Sequence, residues 1–299
     1  MGIDPGYRTG CKVAVIGKDG SLLYHDVIFP TPPQSDYINS SMKVVQAINT
    51  LEVELISIGN GTGSRETEVF VSRLIKEHKL PVKYMIVTES GASVYSASKV
   101  AIEEFPNEDV TTRGAISIAR RVQDPLAEYV KIPPEAIGVG MYQHDVNQSE
   151  LKRTLDREVE SVVNLVGVNL NTASEHLLKY ISGLNSRAAL NIVKHRAENG
   201  GFRNRKELLN VSGLGPRAFE QAAGFCRIIN GSEALDGTSV HPESYEIARD
   251  ILKSAEIDPE ELFTKKEEVQ AKLDEIDLDA FSKEKGFNPI TVREVVGML

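Results

Sequence analysis

The first residues of the chain place a carboxylate where it could bind a metal ion. Asp4 follows an apolar start and precedes Pro5-Gly6, and an apolar run begins shortly afterwards at residues 11–17. A carboxylate at the end of a buried strand can hold a divalent cation beside a phosphate group. Asp-Pro-Gly is also ordinary turn chemistry, in which the carboxylate only bonds to nearby backbone amides. The role of Asp4 therefore depends on which other residues the fold brings to it.

A second set of residues suited to binding lies in the middle of the chain, where a short sequence is repeated. ISGLNSRA at 181–188 and VSGLGPRA at 211–218 recur with a period of 30 residues and are identical at five of eight positions. Each copy lies between two segments with helical character. The repeat therefore predicts a helix, a tight glycine turn and a helix, twice in succession.

The repeated turn has the properties that binding a phosphate requires. Glycine lacks a Cβ atom, so the backbone can adopt left-handed conformations and approach an anion closely. The following helix directs its unpaired N–H groups towards that anion, and an arginine in the first helical turn adds a charge-assisted contact. Asn185, which replaces the second glycine of the first copy, is expected in a left-handed conformation. The residues predicted to bind nucleic acid are Gly183, Asn185 and Arg187 in the first copy, and Gly213, Gly215 and Arg217 in the second.

The charge distribution points to the same segment. The chain has a formal net charge of -9, but residues 172–231 contain nine basic and four acidic residues, whereas 232–299 contain eight basic and 17 acidic ones. Only the middle segment has the sign that a phosphate backbone attracts, although an ordinary solvated helical surface would have the same sign. The two turns resemble the helix-hairpin-helix motif, which implies contact with the nucleic-acid backbone without reading of the base sequence. A pair of helical hairpins used only for packing is the alternative.

The elements that position these residues fall into two classes. Up to about residue 130 the pattern is a meander of three strands followed by alternating helices and strands, which is the order of the RNase H-like fold. After residue 148 strand signals stop, and Thr172 and Glu175 have the spacing of a capping box at the start of a helix. We predict an α/β RNase H-like domain at 1–147, an all-α tandem helix-hairpin-helix domain at 148–231 and an acidic helical segment at 232–299.

Composition limits the compartment and the class of protein. Hydrophobic residues make up 41% of the sequence, enough for proper cores. No apolar stretch approaches the roughly 20 residues that span a bilayer, and the N-terminus has no signal-peptide pattern. The two cysteines, Cys11 and Cys226, are far apart and have no metal-binding spacing. We therefore expect a reduced, cytoplasmic protein that is not associated with a membrane.

An RNase H-like fold raises the question of nuclease activity. Resolvases of this fold place acids on the first strand, on a later central strand and on a late helix, and the residues that fit these places are Asp4, Glu89 and Asp124. With Mg²⁺ they would make a two-metal nuclease or junction resolvase. Asn60, however, offers only a neutral carbonyl where a further acid is expected. The sequence favours a binding module that requires no cofactor, and the Mg-dependent nuclease is the alternative.

Several stretches resemble the Tex family of bacterial transcription accessory proteins. They include GIDPGYRTGCKVAV at 2–15, RGAISIARRVQDPLAEYVKI at 113–132 and LDGTSVHPESY at 235–245. The resemblance extends over nearly the whole chain and implies a YqgF-type RNase H-like domain, the hairpin pair and further helices. It also implies that the chain is an internal fragment, because the family has an N-terminal helical region and a C-terminal barrel that binds RNA.

The resemblance implies two kinds of partner, which are nucleic acid and the transcription machinery. The sequence leaves open whether RNA or DNA is preferred, whether the strands are single or double, which proteins are bound and what the oligomeric state is. A scaffold that binds another protein through the acidic tail also remains an alternative.

Overall fold

A computed structural model describes residues 1–138 and 140–299 of the protein. The chain forms two compact units, Met1–Arg157 and Glu158–Leu299. The division falls within one long helix, Gln148–Val166 (α7). The domain boundaries after residues 147 and 231 remain predictions from the sequence.

A five-stranded mixed sheet forms the centre of the first unit. The strand order is β3-β2-β1-β4-β5, with β2 antiparallel to both of its neighbours and β4 parallel to β1 and to β5. This is the RNase H-like arrangement that the element order predicts, so the predicted fold class is confirmed. The strands are Gly2–Asp4 (β1), Cys11–Ile16 (β2), Leu22–Ile28 (β3), Leu55–Gly59 (β4) and Lys83–Val87 (β5).

Helices cover both faces of this sheet. Buried residues of α1 and α2 form the main core with the strands, and α5 packs on the opposite face. A Cβ atom on Gly2 would lie 2.2 Å from the carbonyl oxygen of Ala115, so only glycine lets β1 approach α5 this closely. The helices are Tyr37–Thr50 (α1), Ser64–His78 (α2), Ala92–Ser96 (α3), Lys99–Glu104 (α4), Val110–Gln123 (α5) and Pro125–Tyr129 (α6).

Local capping explains where two helices differ from the sequence prediction. A single helix is predicted at about 92–104, but Ser98 accepts a hydrogen bond from the Ala101 amide and starts a separate helix there. The helix predicted at 113–122 begins earlier, because Asp109 accepts hydrogen bonds from the amides of Thr111 and Thr112. Both differences follow from N-cap side chains, which satisfy amides that have no partner within the helix.

The second unit is helical, apart from a short parallel pair of strands that the sequence did not predict. The pair joins Val168–Asn169 (β6) to Cys226–Arg227 (β7) and so links the two ends of the hairpin region. The helices are Glu175–Leu178 (α8), Ser186–Asn199 (α9), Pro216–Ala222 (α10), Tyr245–Ser254 (α11), Glu261–Thr264 (α12), Lys266–Asp274 (α13), Leu278–Lys285 (α14) and Pro289–Met298 (α15).

The start of α8 corrects the predicted capping box. Thr172 does not cap this helix, because the helix begins at Glu175 and its cap is Ser174, whose hydroxyl accepts from the Leu177 amide. The prediction placed the start two residues too early, because Ser and Thr are both preferred N-cap residues and both precede the helix.

A buried arginine joins the hairpin region to the helices that follow it. Arg205 is only 1% exposed, and its guanidinium donates to the carbonyl oxygens of Cys226, Val240 and Thr238 and to the Tyr245 hydroxyl. Its own amide donates to Asp236.

Within the described ranges, no helix is both long and apolar enough to cross a membrane.

Candidate nucleic-acid interface

The first hairpin turn exposes its backbone to solvent. Gly183 has a φ of +85° and is exposed, and the following Leu184 is buried between the helices. Asn164 on α7 accepts a hydrogen bond from the amide of Ser182 at 3.0 Å and so holds the start of the turn. The left-handed conformation therefore lies at Gly183, where a side chain would be strained.

Asn185 has a different role from the predicted one. Its φ and ψ are -113° and 171°, and its side chain accepts a hydrogen bond from the Ala188 amide as the N-cap of α9. The prediction that Asn185 is left-handed is therefore wrong. An N-cap residue must be extended for its side chain to reach the third helical amide, and Asn suits that role as well as it suits a left-handed position.

The second turn repeats this geometry. Gly213 has a φ of +80°, Leu214 is buried, and Gly215 has a φ of -85° as the N-cap of α10. No atom lies within 4 Å of the position that a Cβ atom on Gly215 would take. Gly213 thus meets a conformational requirement, whereas Gly215 only leaves open space in front of the helix.

Both turns present backbone amides and a cation to solvent. Within the residues that the structure describes, the amides of Ser186 and Arg187 and those of Arg217 and Ala218 make no hydrogen bond. The side chains of Arg187 and Arg217 are exposed. A phosphate oxygen could therefore accept hydrogen bonds at either turn without displacing an internal contact.

The two hairpins pack reciprocally. A Cβ atom on Gly183 would lie 2.7 Å from the Cβ atom of Gln221, and one on Gly213 would lie 3.6 Å from Nδ2 of Asn191. Asn191 and Gln221 are themselves 30 residues apart, so each occupies the same position in its own copy. Each turn therefore lies against the second helix of the other hairpin. This reciprocal arrangement means that an approximate twofold axis relates the two copies. The equivalence of Asn191 and Gln221 cannot be recognised from the sequence, because the two positions hold different residue types.

The basic surface is smaller than the residue count predicts. Three of the nine basic residues in 172–231 bind internal carbonyl groups, namely Arg196, Arg205 and Arg227. Burial lowers the pKa of Arg227 to about 10. The exposed cations are Lys179, Arg187, Lys194, Arg203, Lys206 and Arg217.

A third turn of the same form lies in the acidic segment. Gly286 has a φ of +73°, Phe287 packs against the core, Asn288 caps α15 and Pro289 is its first residue. The pattern of glycine, apolar residue, Asn or Gly and helix is common to all three turns. This turn does not continue the 30-residue period, so the repeat at 181–188 and 211–218 does not predict it.

Asp4 lies at the end of β1 against α5. Its Oδ2 atom is 3.1 Å from the position that a Cβ atom on Gly114 would take. The pKa of Asp4 is raised to about 6, chiefly by burial and also by the nearby charge of Glu89, while Lys12 acts in the opposite direction. Asp4 and Glu89 are thus close enough for their charges to interact.

Glu89 supports the glycine-rich loop after β4. Its Oε1 atom accepts a hydrogen bond from the Gly61 amide at 3.0 Å, and its own amide donates to Oδ1 of Asn60 at 2.9 Å. Cβ atoms on Gly59 and Gly61 would lie 2.0 Å and 2.1 Å from the carboxylate oxygens of Glu89. The loop therefore contains glycine because the carboxylate occupies the adjoining space.

Asp124 does not join the other two acids in a metal site. It caps α6 by accepting a hydrogen bond from the Ala127 amide at 3.0 Å. Asp124 follows Gly114, the residue next to Asp4, by ten positions, which corresponds to about 15 Å along the axis of α5. Among the residues that the structure describes, no group of three or more His, Cys, Asp or Glu side chains could hold a metal ion. The donor set therefore does not fit a two-metal centre, which needs several converging carboxylates.

The sheet order and the paired hairpins define the class: an RNase H-like domain followed by a helix-hairpin-helix module of the nucleic-acid-binding type. Family comparisons agree with this class. Residues 1–123 match the family described as Tex protein YqgF-like domain, residues 163–227 match the helix-hairpin-helix motif, and residues 233–299 match the HHH domain.

The chain thus combines a Tex YqgF-like domain with two helix-hairpin-helix domains, and the proteins it is similar to include two that are named Tex. It is 48% identical to Protein tex of Bordetella pertussis over 100% of its length and 50% identical to transcriptional accessory protein Tex of Neisseria gonorrhoeae over 90%. It is 46% identical to YdcI of Bacillus subtilis over 100% of its length. The chain spans 37%, 35% and 41% of these three relatives.

Proposed function

We propose that the paired turns at Gly183–Arg187 and Gly213–Arg217 bind the phosphate backbone of a nucleic acid without reading its sequence. The observation that supports this most is the reciprocal packing of the hairpins, which holds two exposed turns in a defined relation. Free amides and an arginine at each turn supply contacts to phosphate oxygens. Such contacts position a protein on a nucleic acid but do not distinguish bases.

The RNase H-like domain acts in this proposal as a scaffold or as an additional contact surface. Binding through the hairpins requires no cofactor. In this proposal the activity belongs to transcription, with RNA or DNA as the ligand and the transcription machinery as a protein partner. The name of one relative, transcriptional accessory protein Tex, supports the transcriptional context. A cytoplasmic location is part of the same proposal.

Gly215→Val is the most direct test of the hairpin interface. The position has a φ of -85° and open space around it, so a side chain fits without disturbing the fold but blocks the approach of a phosphate. We expect binding to fluorescein-labelled single- and double-stranded oligonucleotides, measured by fluorescence anisotropy, to weaken about tenfold for every sequence alike. Gly297→Val is the matched control, because that glycine also has open space around it and lies in α15. Unchanged affinity of Gly215→Val contradicts the proposal.

Charge reversal tests the two arginines. Arg187→Glu and Arg217→Glu should each weaken binding and lower the slope of log affinity against log salt by about one, because each removes a phosphate contact. Lys253→Glu changes the charge equally on an exposed position of α11 and should leave both quantities as they are. Equal effects of all three variants would indicate that the net charge of the protein, and not the two turns, determines the affinity.

The proximity of Asp4 to Glu89 is the observation that favours the alternative, an Mg-dependent nuclease. Incubation with branched and single-stranded substrates in the presence of Mg²⁺ or Mn²⁺ separates the two proposals. The binding module leaves these substrates intact. Cleavage that is lost in Asp4→Asn would instead establish the nuclease.

A further inference from the structure

The last strand of the RNase H-like sheet has an open edge. Among the residues that the structure describes, β5 pairs with β4 on one side and with no strand on the other. The amide of Lys83 donates to Glu54 and the carbonyl of Val87 accepts from Asn60, so the odd-numbered residues of β5 point their backbone groups towards β4. Because these groups alternate along a parallel strand, those of Tyr84 and Ile86 point outwards. They make no hydrogen bond within residues 1–138 and 140–299.

The side chains at this edge do not protect it. Met85 and Ile86 are 44% and 41% exposed, and since they are consecutive they lie on opposite faces of the sheet. β5 contains no proline, and its pairing with β4 has no register shift. Proteins usually block such edges with prolines, bulges or covering elements.

A basic groove runs beside the open edge. It lies between α2 and Tyr84 and has a volume of about 570 Å³. Arg65 and Lys76 line it, both are exposed, and neither makes an ion pair with any residue that the structure describes. The Arg73 side chain is paired with Glu77, and Glu68 accepts a hydrogen bond from the Tyr84 hydroxyl. Arg65 and Lys76 thus remain without an ion pair. The hydroxyl of Tyr84 leaves the charge of Glu68 in place, so the groove has a smaller net positive charge than two free cations would give.

The dimensions of the groove and the strand agree. Arg65 and Lys76 are eleven residues apart on α2, which corresponds to about 16 Å along the helix axis. The five residues of β5 extend over a similar length, about 16 Å. Residues of an added strand that face α2 would therefore lie along the groove from one cation to the other.

We propose that β5 binds an extended, acidic segment of a partner protein, which pairs with its outer edge as a sixth strand. The backbone groups of Tyr84 and Ile86 supply the strand pairing. Alternate acidic side chains of the segment contact Arg65 and Lys76 in the groove, and the intervening apolar side chains pack on Met85. This is strand addition, in which backbone pairing supplies affinity and alternate side chains supply specificity.

Charge and polarity distinguish this partner from two others. A second copy pairing through its own β5 would bring the two sets of unpaired cations together, which electrostatic repulsion opposes. A nucleic acid would meet the cations, but it offers no backbone amides for the strand edge and no apolar groups for Met85 and Ile86. An acidic peptide with alternating apolar residues provides carboxylates for the cations, backbone groups for the strand edge and apolar side chains for Met85 and Ile86.

The probe for the test is a fluorescein-labelled peptide of about eight residues in which glutamate and valine alternate. We expect saturable binding to the whole chain in fluorescence anisotropy, and slower hydrogen exchange of the Tyr84 and Ile86 amides in the complex. A peptide with lysine in place of glutamate should bind at least about tenfold more weakly. The same loss is expected for the double variant Arg65→Glu/Lys76→Glu, which changes only exposed positions. Ile86→Pro should abolish binding because it removes an outward N–H group.

Four outcomes would overturn the proposal. They are the absence of saturable binding at about 1 mM peptide, equal affinity for the lysine peptide, unchanged affinity of the charge-reversal variant, and exchange protection elsewhere than β5. Concentration-dependent dimerisation in sedimentation that Ile86→Pro removes would assign the edge to a second copy. Displacement of the peptide by an oligonucleotide in wild type but not in Arg65→Glu/Lys76→Glu would assign the groove to nucleic acid.

Discussion

Asn191 of the first hairpin donates a hydrogen bond from Nδ2 to the carbonyl oxygen of Ser212 in the turn of the second, at 2.7 Å. The residue that corresponds to Asn191 in the second copy, Gln221, lies against Gly183 in the turn of the first. The two turns are thus held by each other's helices. Their relative position, and not only the geometry of each turn, belongs to the interface.

Asn191→Ala should weaken nucleic-acid binding although Asn191 is not expected to contact the ligand. Loss of the hydrogen bond to Ser212 should lower the free energy of unfolding by about 1 kcal/mol. It should also weaken affinity several-fold, because the two turns lose their defined relation. Asn199→Ala is the control, since Asn199 lies on the same helix and bonds only to the His195 carbonyl. Anisotropy and chemical denaturation measure the two effects, and equal affinities of both variants would contradict this prediction.

The two glycines Gly183 and Gly215 should respond differently to alanine. At Gly183 a Cβ atom would lie 2.7 Å from Gln221, and the φ of +85° disfavours any side chain, so we expect a loss of about 2 kcal/mol in stability. Gly215→Ala should cost less than about 1 kcal/mol, because its conformation is ordinary, its surroundings are open and the loss is limited to a poorer N-cap. Denaturant unfolding of both variants measures the difference. Similar losses at both positions would show that the turns are not arranged as described.

Arg205→Met should destabilise the second unit strongly. The substitution leaves the carbonyl oxygens of Cys226, Val240 and Thr238 buried without a donor, at a cost of about 3 kcal/mol or more. Arg203→Met is the control, because Arg203 is exposed. Urea denaturation followed by circular dichroism measures both. A loss for Arg205→Met no larger than for Arg203→Met would contradict the structural role of this guanidinium.

Asp4→Asn should stabilise the protein in a pH-dependent way. Asp4 ionises near pH 4 in an unfolded chain and at about pH 6 in the fold. Between these values the folded protein retains a proton that the unfolded chain has lost, so its free energy of unfolding falls as the pH rises. The variant carries no such charge. It should therefore be more stable than wild type by about 3 kcal/mol at pH 7.5 and no more stable below about pH 4.

Glu89→Gln checks the cause of that effect. Removing the neighbouring negative charge should lower the pKa of Asp4, measured by NMR titration of its carboxyl carbon, and should narrow the pH range in which Asp4→Asn is stabilising. A pKa of Asp4 that stays the same would show that burial alone raises it.

Sequence reasoning succeeded where a pattern is local. The order of strands and helices and the repeat around Gly183 and Gly213 both follow from residue types at short spacing. It failed at Asn185 and at Thr172, where two local roles suit the same residue type and only the path of the backbone decides between them. It also could not say that Arg196, Arg205 and Arg227 are internal, because charge is counted without regard to burial.

The sequence by itself determined the RNase H-like order of the first unit and the two glycine turns, since these depend on periodicity and on conformations that few residues adopt. Tertiary structure alone decided that the charge of Glu89 acts on Asp4 whereas Asp124 caps a helix, that Asn191 reaches the turn of the other hairpin and that the edge of β5 is open. Those relations join residues far apart in the chain, and they arise from packing, which no local pattern records.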